Sequence, residues 1–297
     1  MKKNKTKGFI FIISATILWA FAGPLAKYLF GVGISPTDLV QARVSYSCLI
    51  LVFVFSCFYR EGLKIDTKDI GYFALLGIGG FALVQYTYFY AISKLDVGIA
   101  ISLQYTAPSM IVIYTAIFRK EKIVFRTIIA ILLALIGCFL VIGAYEADWT
   151  NLNWAGILVA LLSALTFAFY TLYGEKGLQK YSPWTVFFYV VLFATIFWNI
   201  IHPPFVLIGQ GWSWEIWAGI WGVAIFGTLI PFALFFIALK ELDPIRLTVT
   251  STLEPIFASI VAFIALGEAL SFLQIIGGFL IITSVILMAT KRPESVV

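Results

Sequence analysis

The chain alternates between long apolar stretches and short polar connections. Each apolar stretch holds roughly 20 residues, the length that an α-helix needs to cross about 30 Å of hydrocarbon. A helix is the expected form, because the bilayer core has no water to hydrogen-bond an open backbone. The sequence therefore predicts ten transmembrane helices, at about 8–30, 36–58, 69–92, 97–118, 124–145, 153–174, 183–205, 214–239, 244–266 and 270–290.

The second half of the chain repeats the first. Residues 95–140 align without a gap with residues 242–287: a Leu-Asp pair opens each segment, a proline lies within the apolar stretch, and a glutamate ends it. These residues are Leu95, Asp96, Pro108 and Glu121 in the first copy, and Leu242, Asp243, Pro255 and Glu268 in the second. Residues 8–21 match residues 156–169 in the same way, so we expect the first helix to be retained and not cleaved as a signal peptide.

An odd number of helices in each repeat has a topological consequence. The second repeat, at 153–290, must enter the membrane from the side opposite to the first, at 1–145. Inverted repeats of this kind build many secondary transporters, whose halves enclose a site near the middle of the bilayer. The expected fold class is an all-α membrane protein of ten transmembrane helices in two inverted five-helix repeats.

Composition and charge agree with a membrane protein and orient it. Hydrophobic residues make up 62% of the 297 residues and charged residues 12%, and the mean hydropathy is +1.01, which leaves too little polar surface for a soluble domain. All lysines and arginines except Lys27, Arg43 and Lys94 fall at the amino terminus, in or next to the loops that follow the second, fourth, sixth and eighth predicted helices, or in the tail. Because basic residues concentrate in cytoplasmic loops, both termini are predicted to be cytoplasmic. The net charge of +5 is explained by this topology and predicts no nucleic-acid partner.

Several motifs resemble those of a known family. The first repeat carries Trp19-Ala20 in helix one, Arg43 in helix two, the run Tyr90–Lys94, Pro108 and Glu121. The second repeat carries Ile237–Lys240, Glu254–Ala258, Leu266–Glu268 and Gly277-Gly278. Over the whole chain these motifs resemble the EamA-type domain of the drug/metabolite transporter superfamily. The resemblance implies a ten-helix carrier of the inner (plasma) membrane, typically an exporter of amino acids, related metabolites or drugs that works without ATP.

Charged residues inside the predicted helices are candidate substrate contacts, because a charge there is costly unless it faces water or a partner. Arg43 suits a substrate carboxylate through its planar fork of donors, and it suits equally well an internal brace at the outer helix ends. Glu254, which corresponds to Ala107 in the first repeat, is a candidate for proton coupling or for binding a substrate ammonium. The alternative interpretation of Glu254 is structural: a buried acid that fixes helix nine to a neighbouring helix. Lys27 either extends to the interface or joins Arg43 in the cavity.

Uncharged polar and aromatic residues extend this candidate site. Gln85 and Gln104 lie in the outer half to the middle of helices three and four, with Tyr88 and Tyr105 close by in sequence. Trp19 lies at mid-depth in helix one. Together these side chains predict a cavity for an amphipathic solute or a cation, although buried amides also hydrogen-bond helices to one another.

The repeated proline and glutamate positions suggest mechanical and structural roles. Pro108 and Pro255 each remove a helix hydrogen bond in mid-span, which is typical of a hinge in each repeat and also of a static kink. Glu121 and Glu268 stand at helix ends, where a structural role is favoured.

Other chemistries are less favoured. Cys48, Cys57 and Cys138 lie in predicted helices, so no disulfide is expected, and a single histidine, His202, predicts neither a metal site nor a cofactor. The sequence shows no zinc-binding or nucleophile motif of the kind that a multispan membrane enzyme would need. Uptake and passive flow remain alternatives to export. The expected partners are a small-molecule substrate and the lipid bilayer; the sequence predicts neither the substrate, the coupling ion nor the oligomeric state.

Overall fold

The computed structural model describes residues 3–146, 153–204, 209–266 and 270–290, and the regular elements in these ranges are helical. We number the main helices in chain order and divide two that are interrupted. They are α1 (Lys5–Gly31), α2 (Pro36–Phe58), α3 (Thr67–Lys94), α4a (Val97–Gln104), α4b (Ala107–Ile117), α5 (Phe125–Val141), α6 (Trp154–Gly177), α7 (Pro183–Ile201), α8 (Trp214–Glu241), α9a (Pro244–Ser251), α9b (Glu254–Leu266) and α10 (Phe272–Ala289). The predicted helix-end residue Glu268 and the basic tail residues Lys291 and Arg292 lie outside the described ranges.

The prediction of an all-helical membrane protein is confirmed for the described residues. Eight helices there are long and apolar enough to cross a bilayer, namely α1, α2, α3, α4 taken as a whole, α6, α7, α8 and α10. Helix α5 is apolar but shorter, and α9 is divided into two short parts. Each helix lies within a few residues of its predicted stretch, because the polar loops that bound the apolar stretches also end the helices.

Local sequence explains where several helices begin. Ser35 and Ser182 cap α2 and α7 by accepting a hydrogen bond from a backbone amide three residues on, and a proline follows each serine at the first helical position. Ser271 and Gln274 form a reciprocal capping box at the start of α10. The matched caps of α2 and α7 are a further feature that the two halves share.

Helices α3 and α8 each contain a π-helical segment, Leu76–Ala82 and Ile225–Leu229, at overlapping positions of the repeat. A glycine in each segment lies very close to a neighbouring helix. A Cβ atom on Gly77 would lie 2.7 Å from a carbonyl oxygen of α7, and one on Gly227 would lie 2.8 Å from the Cβ of Ala22 in α1. The extra residue of a π segment therefore sits where helix backbones meet, and such segments are frequent at functional sites.

Helices α4 and α9 are interrupted at equivalent positions. In α4 the amide of Thr106 donates to the carbonyl of Leu103, a bond between residues three apart, and the counterpart residues of α9 form the same bond. Pro108 and Pro255 then occupy the second position of α4b and α9b, where an amide proton has no partner within the helix. The repeated prolines therefore lie directly after a break in the helix.

Small residues allow the closest helix contacts. Gly137 of α5 and Gly277 of α10 face each other so closely that a Cβ atom on either would lie within 3 Å of the other's carbonyl oxygen. Gly8 of α1 lies against the leucine that follows α8, and Gly156 of α6 lies against the leucine that follows α3. These two contacts are the same contact made once in each direction between the halves.

Candidate functional site

A central cavity lies where the break in α4 faces the break in α9. The space between its wall atoms is about 460 Å³, but water can enter only a small part of it, enough for a few molecules. In this conformation the cavity is therefore narrow. It is lined by residues of both halves: Trp19, Ala22, Arg43, Val84, Gln85, Tyr88, Phe89, Gln104, Tyr105, Phe167, Gly227, Phe232 and Glu254.

The structure brings together all but one of the predicted substrate contacts. Helices α1 to α4 supply most of them, and α9b supplies the acid; they are Trp19, Arg43, Gln85, Tyr88, Gln104, Tyr105 and Glu254. Five different helices thus direct these residues to one cavity. These residues are spread widely along the sequence, so their meeting in one cavity depends on how the two halves pack.

Arg43 is almost fully buried, with 2% of its surface exposed. Its Nε donates to Thr228 Oγ1 at 2.5 Å and its Nη2 donates to the Gly227 carbonyl at 2.6 Å, both in the π segment of α8. The guanidinium also lies 4.4 Å from the centre of the Phe89 ring, a favourable cation–π distance. Among the described residues, none of the ion pairs includes Arg43. Arg43 therefore braces α2 against α8 and borders the cavity at the same time.

Glu254 is the first residue of α9b and is also buried. The hydroxyl of Tyr105, the C-cap residue that follows α4a, donates to Glu254 Oε2 at 2.6 Å. This hydrogen bond joins the break in one half to the break in the other. Because Ala107 stands at the equivalent position of the first half, the bond has no mirror counterpart and the cavity is chemically unequal on its two sides.

Several hydrogen-bond donors border the cavity without a protein partner. Within the described residues these are the indole nitrogen of Trp19, the amide nitrogen of Gln85 and the hydroxyl of Tyr88, all buried. Gln104 differs, since its amide donates to Ser163 Oγ in α6 at 2.6 Å. A buried polar group left without a partner costs about 1–3 kcal/mol, so a solute that accepts hydrogen bonds would be favoured here.

The sequence reasoning missed the aromatic wall supplied by the second half. Phe167 occupies the repeat position of Trp19, and Phe232 occupies that of Gln85; both line the cavity. The Phe232 ring centre lies 5.0 Å from that of Trp19. Carrying each predicted residue across the repeat would have found both, because equivalent positions in the halves face the same seam.

Lys27 and the repeated prolines lie outside the cavity lining. The ammonium of Lys27 donates to the carbonyls of Ile92 and Leu95, both at 2.8 Å, where the chain leaves α3. The last carbonyls of a helix lack partners within it, which explains why a nearby ammonium is held there and not in the cavity. Pro108 and Pro255 lie next to the cavity, directly beyond the breaks.

The two halves also match a known family separately. The model of the EamA-like transporter family matches residues 6–143 and, a second time, residues 154–290. The chain belongs to the EamA-like transporter family. It is a multi-pass membrane protein of a family of membrane transporters.

Proteins named as transporters are similar over most of the chain. An uncharacterized transporter of Archaeoglobus fulgidus is 31% identical over 72% of this chain and 75% of its own. The threonine/homoserine exporter RhtA of Escherichia coli strain K12 is 26% identical over 91% of this chain and 88% of its own. A crystal structure that shares 19% sequence identity superposes with a TM-score of 0.75 over 96% of each chain, so the fold itself is shared.

Proposed function

We propose that this protein is a secondary transporter of the cell membrane that exports a small zwitterionic or amphipathic metabolite, of which an amino acid is the leading class. The observation that carries the proposal is the central cavity, which presents the cation of Arg43 and the acid of Glu254 between the two halves. A zwitterion carries an anionic group that suits Arg43 and a cationic group that suits Glu254. In an alternating-access cycle this narrow cavity would widen to admit the solute.

The remaining cavity residues suit the same class of solute. The unpaired donors of Gln85 and Tyr88 would serve the carboxylate together with Arg43, because carboxylate oxygens accept several hydrogen bonds. Phe167 and Phe232 offer aromatic surface to an amphipathic side chain. The name of RhtA, an exporter of threonine and homoserine, supports amino acids as the first substrates to test.

The proposal includes a membrane topology. The described helices are taken to cross the membrane ten times, with α5 and the interrupted α9 as two of the crossings and with both termini in the cytoplasm. The second half would then be inverted relative to the first. The π segments of α3 and α8, the breaks of α4 and α9, and the reciprocal glycine contacts support this arrangement, because each occurs once in each half.

We propose that transport uses the paired breaks as hinges and Glu254 as the coupling group. The breaks at Pro108 and Pro255 allow α4b and α9b to tilt without losing further helix hydrogen bonds. A carboxyl group in this buried position would hold either a proton or the ammonium of the substrate. Tyr105 donates to that carboxyl group, so binding of a proton or an ammonium by Glu254 would change the hydrogen bond that joins the two breaks.

Uptake is the second candidate, since the direction of a secondary carrier follows its gradients and not its fold. Export is preferred because the RhtA relatives are named exporters. A passive channel would conduct without saturation, and a multispan enzyme would need a nucleophile or a metal site beside the cavity.

Transport by purified protein in liposomes tests the proposal. Labelled threonine, homoserine and other amino acids are supplied with and without an imposed pH gradient, and we expect saturable flux that the gradient increases. Glu254→Gln should abolish the increase, whereas Glu121→Gln, which removes an acid outside the cavity, should leave it unchanged. Pro108→Ala and Pro255→Ala should lower turnover more than apparent affinity.

Arg43→Gln should weaken the apparent affinity for a carboxylate-bearing substrate by about tenfold to hundredfold, the range expected for a charge-assisted hydrogen bond. Flux of the same solutes that depends on neither the gradient nor Glu254 would refute proton coupling. Unchanged affinity in Arg43→Gln would refute the carboxylate contact.

A further inference from the structure

A second cavity lies between α4b and α6 and shares no lining residue with the central one. The space that water can occupy in it is about 760 Å³, and it forms a groove along the side of the protein. It is lined by Met110, Tyr114, Arg119, Leu165, Ala168, Phe169, Leu172, Tyr173, Glu175, Lys176 and Gln179. Leu165 is 55% exposed and Tyr114 is 40% exposed, so the groove is open towards the lipid.

The groove changes from apolar to charged along its length. Met110 and Leu165 form its apolar end, and Arg119, Glu175 and Lys176 surround the other end. The α6 residues that line it run from Leu165 to Lys176, which corresponds to roughly 17 Å of helix at about 1.5 Å per residue. One leaflet is about 15 Å of hydrocarbon and about 20–22 Å with its headgroups, half of the whole bilayer, so this length reaches from the hydrocarbon into the headgroup region. The groove therefore matches one lipid leaflet in both length and polarity.

Positive charge prevails at the polar end. Arg119 Nη2 pairs with Glu175 Oε2 at 2.8 Å, which joins the end of α4b to the end of α6. Lys176 is exposed and lies 5.8 Å above the Tyr173 ring, so its ammonium adds a second cation. Lys120 and Lys122 follow closely in the chain. In the orientation proposed above, this end faces the cytoplasmic leaflet, where anionic lipids are attracted to basic groups and basic pockets between helices hold their headgroups.

We propose that this groove binds one anionic phospholipid of the cytoplasmic leaflet. An acyl chain lies along Met110, Leu165 and Phe169, and the phosphate lies between Arg119 and Lys176. The phosphate competes with Glu175 for Arg119, so the bound lipid weakens the tie between the ends of α4b and α6. The proposal depends on the orientation given above and not on the substrate of the central cavity.

Lipid retention by the purified full-length protein tests the site. The protein is incubated with equal amounts of phosphatidylglycerol and phosphatidylcholine, and the lipids that stay bound are counted by native mass spectrometry. We expect one retained phosphatidylglycerol in preference to phosphatidylcholine. Lys176→Gln, which leaves the Arg119–Glu175 pair intact, should reduce this retention about fivefold, and adding Arg119→Gln should reduce it tenfold or more. The double variant Lys64→Gln, Lys68→Gln removes two basic residues elsewhere and should change nothing.

Two further arms separate a lipid from a simple anion. Leu165→Trp fills the apolar part of the groove without altering its charges and should also reduce retention. Soluble glycerol phosphate should fail to displace the lipid at matched concentration, because it has no acyl chain. Equal retention of both lipids, insensitivity to Lys176→Gln and Arg119→Gln, or full displacement by glycerol phosphate would overturn the proposal. Loss of amino-acid transport alone would leave this result unaffected, so failure of the substrate proposal and failure of the lipid proposal are distinguishable.

Discussion

At the scale of single residues, Arg43 combines two roles that are often separate. Its Nε and Nη2 are held by Thr228 and Gly227 of α8, and its guanidinium borders the cavity over the Phe89 ring. A buried cation needs partners wherever it lies, and here neutral oxygens supply them. Under the proposed function, this charge binds the anionic group of a solute that enters the cavity.

Thr228→Val tests the bracing role of Arg43. The change keeps the shape of the side chain but removes the oxygen that accepts from Arg43 Nε, and a hydrogen bond to a charged group contributes about 1.5–3 kcal/mol. We expect the thermal unfolding midpoint of the detergent-solubilised protein to fall. Thr228→Ser retains the hydroxyl and should stay close to the parent. Equal midpoints for the valine and serine variants would contradict the bracing role.

The sequence predicted which residues border the cavity better than it predicted their partners. Arg43 and Glu254 stood out because a charge in an apolar stretch requires an explanation. Thr228 gave no such signal, since a threonine in a membrane helix is ordinary and its position opposite Arg43 depends on the π segment. Lys27 was a candidate for the cavity, but in the structure its ammonium donates to the carbonyls at the end of α3.

At the scale of helices, the contact between α5 and α10 depends on one pair of glycines. A Cβ atom on Gly277 would lie 2.7 Å from the Gly137 carbonyl oxygen and 2.7 Å from the Val141 amide nitrogen. The neighbouring Gly278 has no atom within 4 Å of its Cβ position. The two adjacent glycines therefore differ only in what surrounds them.

Gly277→Ala is expected to destabilise the protein by about 1–3 kcal/mol, because the methyl group overpacks the helix contact. Gly278→Ala is the matched control and should be neutral or stabilising by up to about 1 kcal/mol, since alanine favours a helix. Thermal unfolding in detergent measures both. A Gly277→Ala variant as stable as Gly278→Ala would mean that α5 and α10 are not in the close contact described.

At the scale of the whole molecule, most of the architecture was predicted from the apolar stretches and from their repetition in the two halves. Apolar stretches of sufficient length located the helices, and Pro108 with Pro255 indicated where α4 and α9 are interrupted. The π segments of α3 and α8 were not predicted, because a single extra residue in a turn leaves no trace in the hydrophobic pattern. The size of the cavity was also beyond the sequence, since it is set by how closely the halves approach.

The inverted relation of the halves is the claim on which the proposed transporter depends, and side-specific labelling tests it most directly. Lys94 and Glu241 occupy equivalent positions of the two halves, at the ends of α3 and α8. Each is replaced by cysteine in a chain whose Cys48, Cys57 and Cys138 are serine, and intact cells are treated with a membrane-impermeant thiol reagent. Inverted halves predict that Lys94→Cys is labelled in intact cells and Glu241→Cys only after permeabilisation. Labelling of both from the same side would contradict the inverted arrangement.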